Sequence, residues 1–137
     1  MGGYNIPAKR TIHNGTEYAS QMEVRFVKLL EKHKIEFQYS VWCEVIIEGE
    51  HRFREIDFFL RRPIKPVWVS EFTNCWEIKG ILQPSDYTRL KALEEQGLKT
   101  FIVLPQILEY WETYTFLSHE LGQIKKKKTR NNTNIDF

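Results

Sequence analysis

Three side chains in the middle of this 137-residue sequence have types and spacing suited to joint chemistry: Asp57, late in one apolar stretch, and Glu77 and Lys79 at the end of another. Side chains of a β-strand alternate with a period of two, so Glu77 and Lys79 would share one face. Two carboxylates converging from adjacent strands make a hard-oxygen site suited to Mg²⁺, which takes few carboxylates and fills its remaining positions with water and phosphate oxygens. A lysine beside them would hold and polarise an attacking water or offset charge developing on phosphorus, while the metal stabilises the leaving oxygen of an in-line displacement. The plain alternative is a solvated strand face for each acid and a solvated side chain for Lys79.

Those residues depend on the elements that carry them. Residues 1–15, with Gly2, Gly3, Pro7 and the Asn14-Gly15 pair, read as a flexible arm ending in a turn. From Ser20 the pattern is helical to about His33, with Met22, Phe26, Leu29 and Leu30 on one face and Arg25, Lys28, Glu31 and Lys32 on the other. Ile35, Phe37, Tyr39 and Val41 then alternate with polar residues, and Val45-Ile46-Ile47 leads into Glu48-Gly49-Glu50, which predicts a hairpin. Its return strand, about Arg52 to Leu60, would place Ile56, Phe58 and Leu60 on one face and Glu55, Asp57 and Phe59 on the other. Two prolines make residues 61–70 a connecting excursion or an edge element. A strand over Asn74 to Lys79 ends at Gly80. Pro84-Ser85-Asp86 opens a second helix to about Gln96, with Tyr87, Leu90 and Leu93 on one face and Gly97 closing it. Thr100 to Leu104 is a continuous apolar run of the kind a strand buried on both faces requires, and residues 106–121 suit either helix or strand. The order predicts an α/β protein, a mixed sheet with helices packed on it.

Over roughly residues 20–104 the sequence resembles the PD-(D/E)XK nuclease superfamily. The matching stretches are Arg54-Glu-Ile-Asp57-Phe-Phe-Leu60 and Trp76-Glu77-Ile-Lys79-Gly80, preceded by Ser20-Gln-Met-Glu23-Val-Arg-Phe26 in the first helix. Ile56 stands where the name pattern has proline, and nineteen residues separate Asp57 from Glu77. The opening Asn14-Gly15-Thr16, with Ser20-x-x-Glu23 before a long helix, is similar to small phage-encoded members of the superfamily. The resemblance implies a restriction-endonuclease-like core, a mixed central sheet flanked by helices in the order α-β-β-β-α-β. It implies Mg²⁺, with Mn²⁺ able to substitute, held by Asp57, Glu77, Glu23 and Ile78, and a catalytic Lys79. The activity implied is metal-dependent endonucleolytic hydrolysis of DNA in recombination, structure-specific in the manner of a Holliday-junction resolvase. The alternatives are a homing or restriction-type endonuclease with sequence preference, a phage nuclease for other branched DNA, a nuclease acting on RNA, and a DNA-binding module that keeps the fold without turnover. Cutting two strands calls for two sites, so a symmetric homodimer is expected.

Other residues carry two readings each. Ser20-x-x-Glu23 is also a capping box, in which the glutamate reaches back to the Ser20 amide. Glu55 is a second acid near Asp57 or the partner of Arg52, Arg54 or Arg61. Arg61, Arg62 and Lys65 form a basic loop placed to meet a phosphate backbone, or a solvated turn. Arg89 and Lys91 face phosphates or serve solubility, and Gln83 touches substrate or caps the second helix. His13, His33, His51 and His119 have no metal-ligand spacing. Trp42, Trp68 and Trp111 are read as core or interface residues.

Composition narrows the rest. Cys43 and Cys75 form neither a disulfide framework nor a zinc motif, and no apolar run is long enough to span a membrane. The expectation is a cytoplasmic protein with one nuclease domain over residues 1–123. Those residues carry fifteen Lys and Arg against seventeen Asp and Glu, whereas residues 124–137 carry five against one. The basic excess is therefore a tail, and Lys125, Lys126, Lys127, Lys128 and Arg130 read as a disordered, non-specific DNA tether or a solvated terminus.

Overall fold

A computed structural model describes residues 10–117. A short hairpin, β1 (Thr11–His13) and β2 (Thr16–Tyr18), precedes α1 (Gln21–Lys32). Then come β3 (Phe37–Ile47), β4 (Glu50–Ile64), β5 (Thr73–Ile78), α2 (Pro84–Glu95), β6 (Thr100–Val103) and α3 (Pro105–Thr113). The four long-range strands form one sheet in the order β3-β4-β5-β6. The first three are antiparallel, and β6 runs parallel to β5. A parallel neighbour needs a crossover, and α2 supplies it. The described residues are thus an α/β protein with three helices, a mixed four-stranded sheet and a small hairpin, and from α1 to β6 the order is α-β-β-β-α-β.

The sheet has two unequal sides. Phe26, Val27 and Leu30 of α1 and Leu108 and Trp111 of α3 pack with Phe58, Leu60 and Trp76 in a large core of mixed aliphatic and aromatic side chains. Ala92 and Leu93 of α2 cover a smaller cluster of Val45, Ile56 and Cys75. Chain position does not keep one side throughout. Phe37 and Tyr39 belong to the α1 side, whereas Val41, Cys43 and Ile47, of the same parity on β3, belong to the α2 side. On β4 the change falls between Ile56 and Phe58. The ladder pairs Tyr39 with Phe58 and Val41 with Ile56, so the residues at the turnover are Ser40 and Asp57. Ser40 has φ +61, a left-handed conformation that costs a non-glycine residue about 1–3 kcal/mol, and its hydroxyl donates to Glu55. The single apolar face expected for Ile56, Phe58 and Leu60 is therefore split at Asp57.

Other expectations also change. Asn14 (φ 50) and Gly15 (φ 80) form the left-handed pair a tight hairpin requires, so the arm becomes ordered β-structure from Thr11. β4 continues through Arg61, Arg62 and Pro63 to Ile64, so the first part of the anticipated basic loop is strand. Pro63 is tolerated because the β4–β5 register shifts between Phe59 and Ile64. β6 is an edge strand, with Phe101 and Ile102 only half-buried, rather than a strand buried on both faces. On α2, Tyr87 is exposed and the buried residues are Asp86, Ala92 and Leu93. The ambiguous stretch after β6 begins as helix α3. No described helix is long and apolar enough to cross a membrane. Residues 1–9, His119 and the tail residues Lys125, Lys126, Lys127, Lys128 and Arg130 lie outside the described residues.

Candidate active site

The β4–β5 register sets Phe58 opposite Trp76 and Phe59 opposite Cys75. Continued by one residue, it puts Asp57 across from Glu77. Asp57 sits at the turnover of the strand, half-buried, and its Oδ2 accepts a hydrogen bond of 3.1 Å from the Ile78 amide. Burial pushes its carboxyl up to about 7, and the negative charges of Glu77, Glu23 and Glu55 add to the rise against the lowering effect of the Ile78 N–H. Ile78 thereby spends its amide on Asp57, leaving its carbonyl as the one donor it could offer a metal.

Glu77 lies on the α2 side, buried, and Arg89 grips it with two hydrogen bonds of 2.5 Å. The same guanidinium reaches Asp86 Oδ1 at 3.0 Å, and the Lys79 ammonium lies 3.3 Å from that oxygen. Asp86 is buried, yet its carboxyl is lowered, because the Gln83 amide, Arg89 and Lys79 outweigh its desolvation. Arg89 is in turn held protonated by Glu77 and Asp86 against its own desolvation. The network is alternating in charge, with Glu77 and Asp86 negative and Arg89 and Lys79 positive. Lys79 is anchored through its main chain as well, donating to Val103 O at 3.0 Å.

Glu23 is buried on α1 and serves the start of its helix. Its amide donates to Ser20 Oγ at 3.1 Å, and its own Oε1 accepts from the Ala19 amide at 2.8 Å and from the Tyr39 hydroxyl at 2.6 Å. The capping contact thus extends one residue before the Ser20 amide anticipated for it. Desolvation raises the Glu23 carboxyl in spite of these donors, and the Tyr39 hydroxyl is raised by burial and by Glu23. Glu23 contributes to the field at Asp57 from the opposite side to Arg89.

The remaining candidates are spread out. Arg61 pairs with Glu36 at 3.1 Å, and Arg62 shares with it a shallow cavity of about 160 Å³ that Lys34 also lines. Lys65 stands 5.5 Å over the Phe72 ring. Gln83 occupies the N-cap of α2, its amide donating to Asp86 Oδ2 at 2.8 Å. Arg89, read as a phosphate ligand or a solubility residue, is a half-buried partner of Glu77, its side chain 17% exposed. Glu55 takes its hydrogen bond from Ser40, while Arg52 pairs with Glu50 and Arg61 with Glu36. His13 meets Glu31 and His51 meets Glu44. Trp111 is in the core with its indole N–H on Val67 O, whereas Trp42 and Trp68 are exposed. Sequence reasoning passed over Asp86 and Tyr39. Asp86 had a signal, standing three residues after a cap position and three before Arg89, as helical pairs do. Tyr39 had none, because its reach to Glu23 depends on the turnover of β3.

Two carboxylates facing each other across adjacent strands, one of them crowded by like charge, supply hard oxygen and excess negative potential. That donor chemistry fits Mg²⁺, which commonly uses one or two carboxylates and completes its shell with water and substrate phosphate. Arg89 occupies only part of the acceptor capacity of Glu77, since an ionised carboxylate has about four lone-pair sites. Among the described residues, no three His, Cys, Asp or Glu side chains gather around one point, so Glu23 is not part of a ready-made ligand set. No family model, curated protein or solved structure matches the chain.

Proposed function

We propose that this protein is a Mg²⁺-dependent endodeoxyribonuclease with a restriction-endonuclease-like core, acting as a homodimer on branched DNA such as a four-way junction. The reading is carried by the β4–β5 register, which continued by one residue sets Asp57 opposite Glu77, and by the α2 residues Arg89 and Asp86, which tie Glu77 and Lys79 into one network. The order α1, β3, β4, β5, α2, β6 also agrees with the core the sequence resembles. Asp57 and Glu77 would hold Mg²⁺ or, in its place, Mn²⁺, and the ion would supply positive charge against the phosphate oxygens.

The chain's own residues have separable tasks. Arg89 binds both oxygens of Glu77 and fixes the plane of its carboxylate, as a bidentate guanidinium does. The Ile78 amide fixes one oxygen of Asp57, leaving the other free to turn toward a ligand. Lys79 brings a mobile ammonium to the same face, where it can hold a water or offset charge on a phosphate. Asp86 parks that ammonium when substrate is absent. Glu23 and Tyr39 close the opposite side of Asp57, which keeps its carboxyl desolvated and responsive to a cation.

A second reading has its own support: Glu77 and Lys79 are both already paired, as they would be in a DNA-binding module without turnover. Cleavage of a four-way junction and a matched linear duplex, with Mg²⁺, with Mn²⁺ and in EDTA, separates the two. The nuclease reading expects metal-dependent cutting of the junction, lost in Asp57→Ala and lowered roughly a hundredfold or more in Lys79→Ala, with binding kept in both. Wild-type protein that binds the junction and never cuts it with either ion establishes the binding module instead.

A further inference from the structure

Beside Glu77 lies a second feature, a groove of about 460 Å³ between α2 and the outer half of the β3–β4 hairpin. We infer that this groove is a binding site for the phosphodiester backbone of DNA, leading a strand toward the carboxylates. It deepens the nuclease reading and rests on it for the direction in which the strand is led.

The groove is built by two regular elements whose periodicities converge. Arg52 and Arg54 alternate on β4, and their ladder partners are Val45 and Cys43, both in the cluster beneath α2. Directly opposed residues share a face, so the two arginines issue on the α2 side, about 7 Å apart along the strand. Across from them Ser85, Thr88 and Arg89 stand at helical i, i+3 and i+4 positions, which lie on one face of α2. The ladder pairs between β4 and β5 begin at Phe58, so the outer part of the hairpin that carries Arg52 and Arg54 extends beyond β5. Two guanidiniums, Arg52 and Arg54, and two hydroxyls therefore line the cleft beside Arg89, whose own charge is taken up by Glu77 and Asp86, and Glu48 is the acid of the lining. Guanidinium groups match phosphate oxygens, and serine and threonine hydroxyls are common phosphate partners. Arg52 is held by Glu50 at 2.6 Å, but both side chains are about half or more exposed, so a phosphate can displace that pair at little cost. Arg89 joins the groove to the candidate active site, because it lines the first and binds Glu77 in the second. The hydroxyls and guanidiniums contact phosphate and carry no base code, as a structure-specific enzyme requires.

The test is fluorescence anisotropy of a labelled four-way junction with the full chain in EDTA, over a salt series. Arg52→Ala/Arg54→Ala is expected to weaken binding about tenfold or more and to reduce the slope of log K against log salt by roughly 1.8, two phosphate contacts at about 0.9 each. Ser85→Ala/Thr88→Ala should weaken binding less and leave the slope unchanged. Lys34→Ala/Arg62→Ala, which removes equal charge at the cavity beside Arg61 and Glu36, should have the smaller effect of the two charge-removing pairs. Unchanged affinity and slope in Arg52→Ala/Arg54→Ala, with circular dichroism matching wild type, overturn the inference, as does an equal loss in Lys34→Ala/Arg62→Ala. Saturable shifts of the Arg54 and Thr88 amides with inorganic phosphate alone, below millimolar, would make the groove a small-anion site and also overturn it. Junction binding through the groove without cleavage in Mg²⁺ or Mn²⁺ would remove the nuclease reading and leave the groove standing.

Discussion

Asp57 and Glu77 face one another across β4 and β5, yet the two sides of that crossing treat a carboxylate in opposite ways. Glu77 has a permanent countercharge: Arg89 binds both of its oxygens, and Asp86 and Lys79 complete an alternating network. Asp57 has one backbone amide and three like-charged neighbours, and its carboxyl rises to about 7. The difference teaches that only one acid is satisfied by the fold, so the other is where a proton or a cation from solution acts. Removing the permanent countercharge should therefore be the most damaging single change. Arg89→Ala leaves Glu77 and Asp86 buried, at 7% and 6% side-chain exposure, without their shared cation. Stranding a buried charge typically costs about 3–5 kcal/mol, which urea denaturation would measure directly. Arg89→Ala/Glu77→Gln should recover a good part of the loss. A cost under about 1 kcal/mol would mean that the pair is solvated and that the two sides are alike after all.

The Asp57 side breaks differently, through pH. Its folded carboxyl titrates near 7 against an ordinary value of 3.8, so between those values the native state keeps a proton that the unfolded chain has released. The contribution of Asp57 to stability is thus fully present below about pH 4 and is lost as pH rises through 7, on the order of a few kcal/mol. In the absence of divalent ions, Asp57→Asn should cancel that loss and make the variant more stable than wild type above pH 7, with little gain at pH 4. Parallel pH–stability curves for wild type and Asp57→Asn would place Asp57 in contact with bulk water and erase the contrast.

Much of this crossing was legible in the sequence because it depends on period two and on short-range order. Cys75, Glu77 and Lys79 alternate with Trp76 and Ile78, and the structure keeps Cys75 under α2 and Trp76 and Ile78 under α1 and α3. The company of each acid was not legible, for reasons that lie outside any window of residues. The left-handed Ser40 turns both strands of the hairpin over, so parity on β3 and β4 stops predicting which side a residue faces. That turnover brings Tyr39 to Glu23, which no spacing announces. On α2 the apolar residues do not mark a clear stripe, and Arg89 and Lys91 look equivalent until packing against β5 selects Arg89. The extension of β4 through Pro63 was hidden because a register shift, a property of two strands together, is what tolerates the proline.

The smallest expected effect concerns the third acid and sharpens the contrast most finely. Glu23 accepts from the Ala19 amide and the Tyr39 hydroxyl through one oxygen, Oε1, and its charge adds to the field at Asp57. Glutamine preserves a carbonyl oxygen for both donors, so Glu23→Gln should change stability by less than about 1 kcal/mol. Glu23→Ala removes the helix-start contact and leaves the Tyr39 hydroxyl without its acceptor, although the Ala19 amide still donates to it at 3.1 Å, which should cost about 1–2 kcal/mol. The informative measurement is the Asp57 titration, followed by the carboxyl carbon resonance in Glu23→Gln. Removing one of the like charges should bring it down while leaving it above the ordinary range, because burial, the largest cause, is untouched. If instead the titration falls to the ordinary value, then charge rather than burial governs Asp57. The two sides of the crossing would then differ only in how many carboxylates surround them, and the role given to a desolvated Asp57 would be withdrawn.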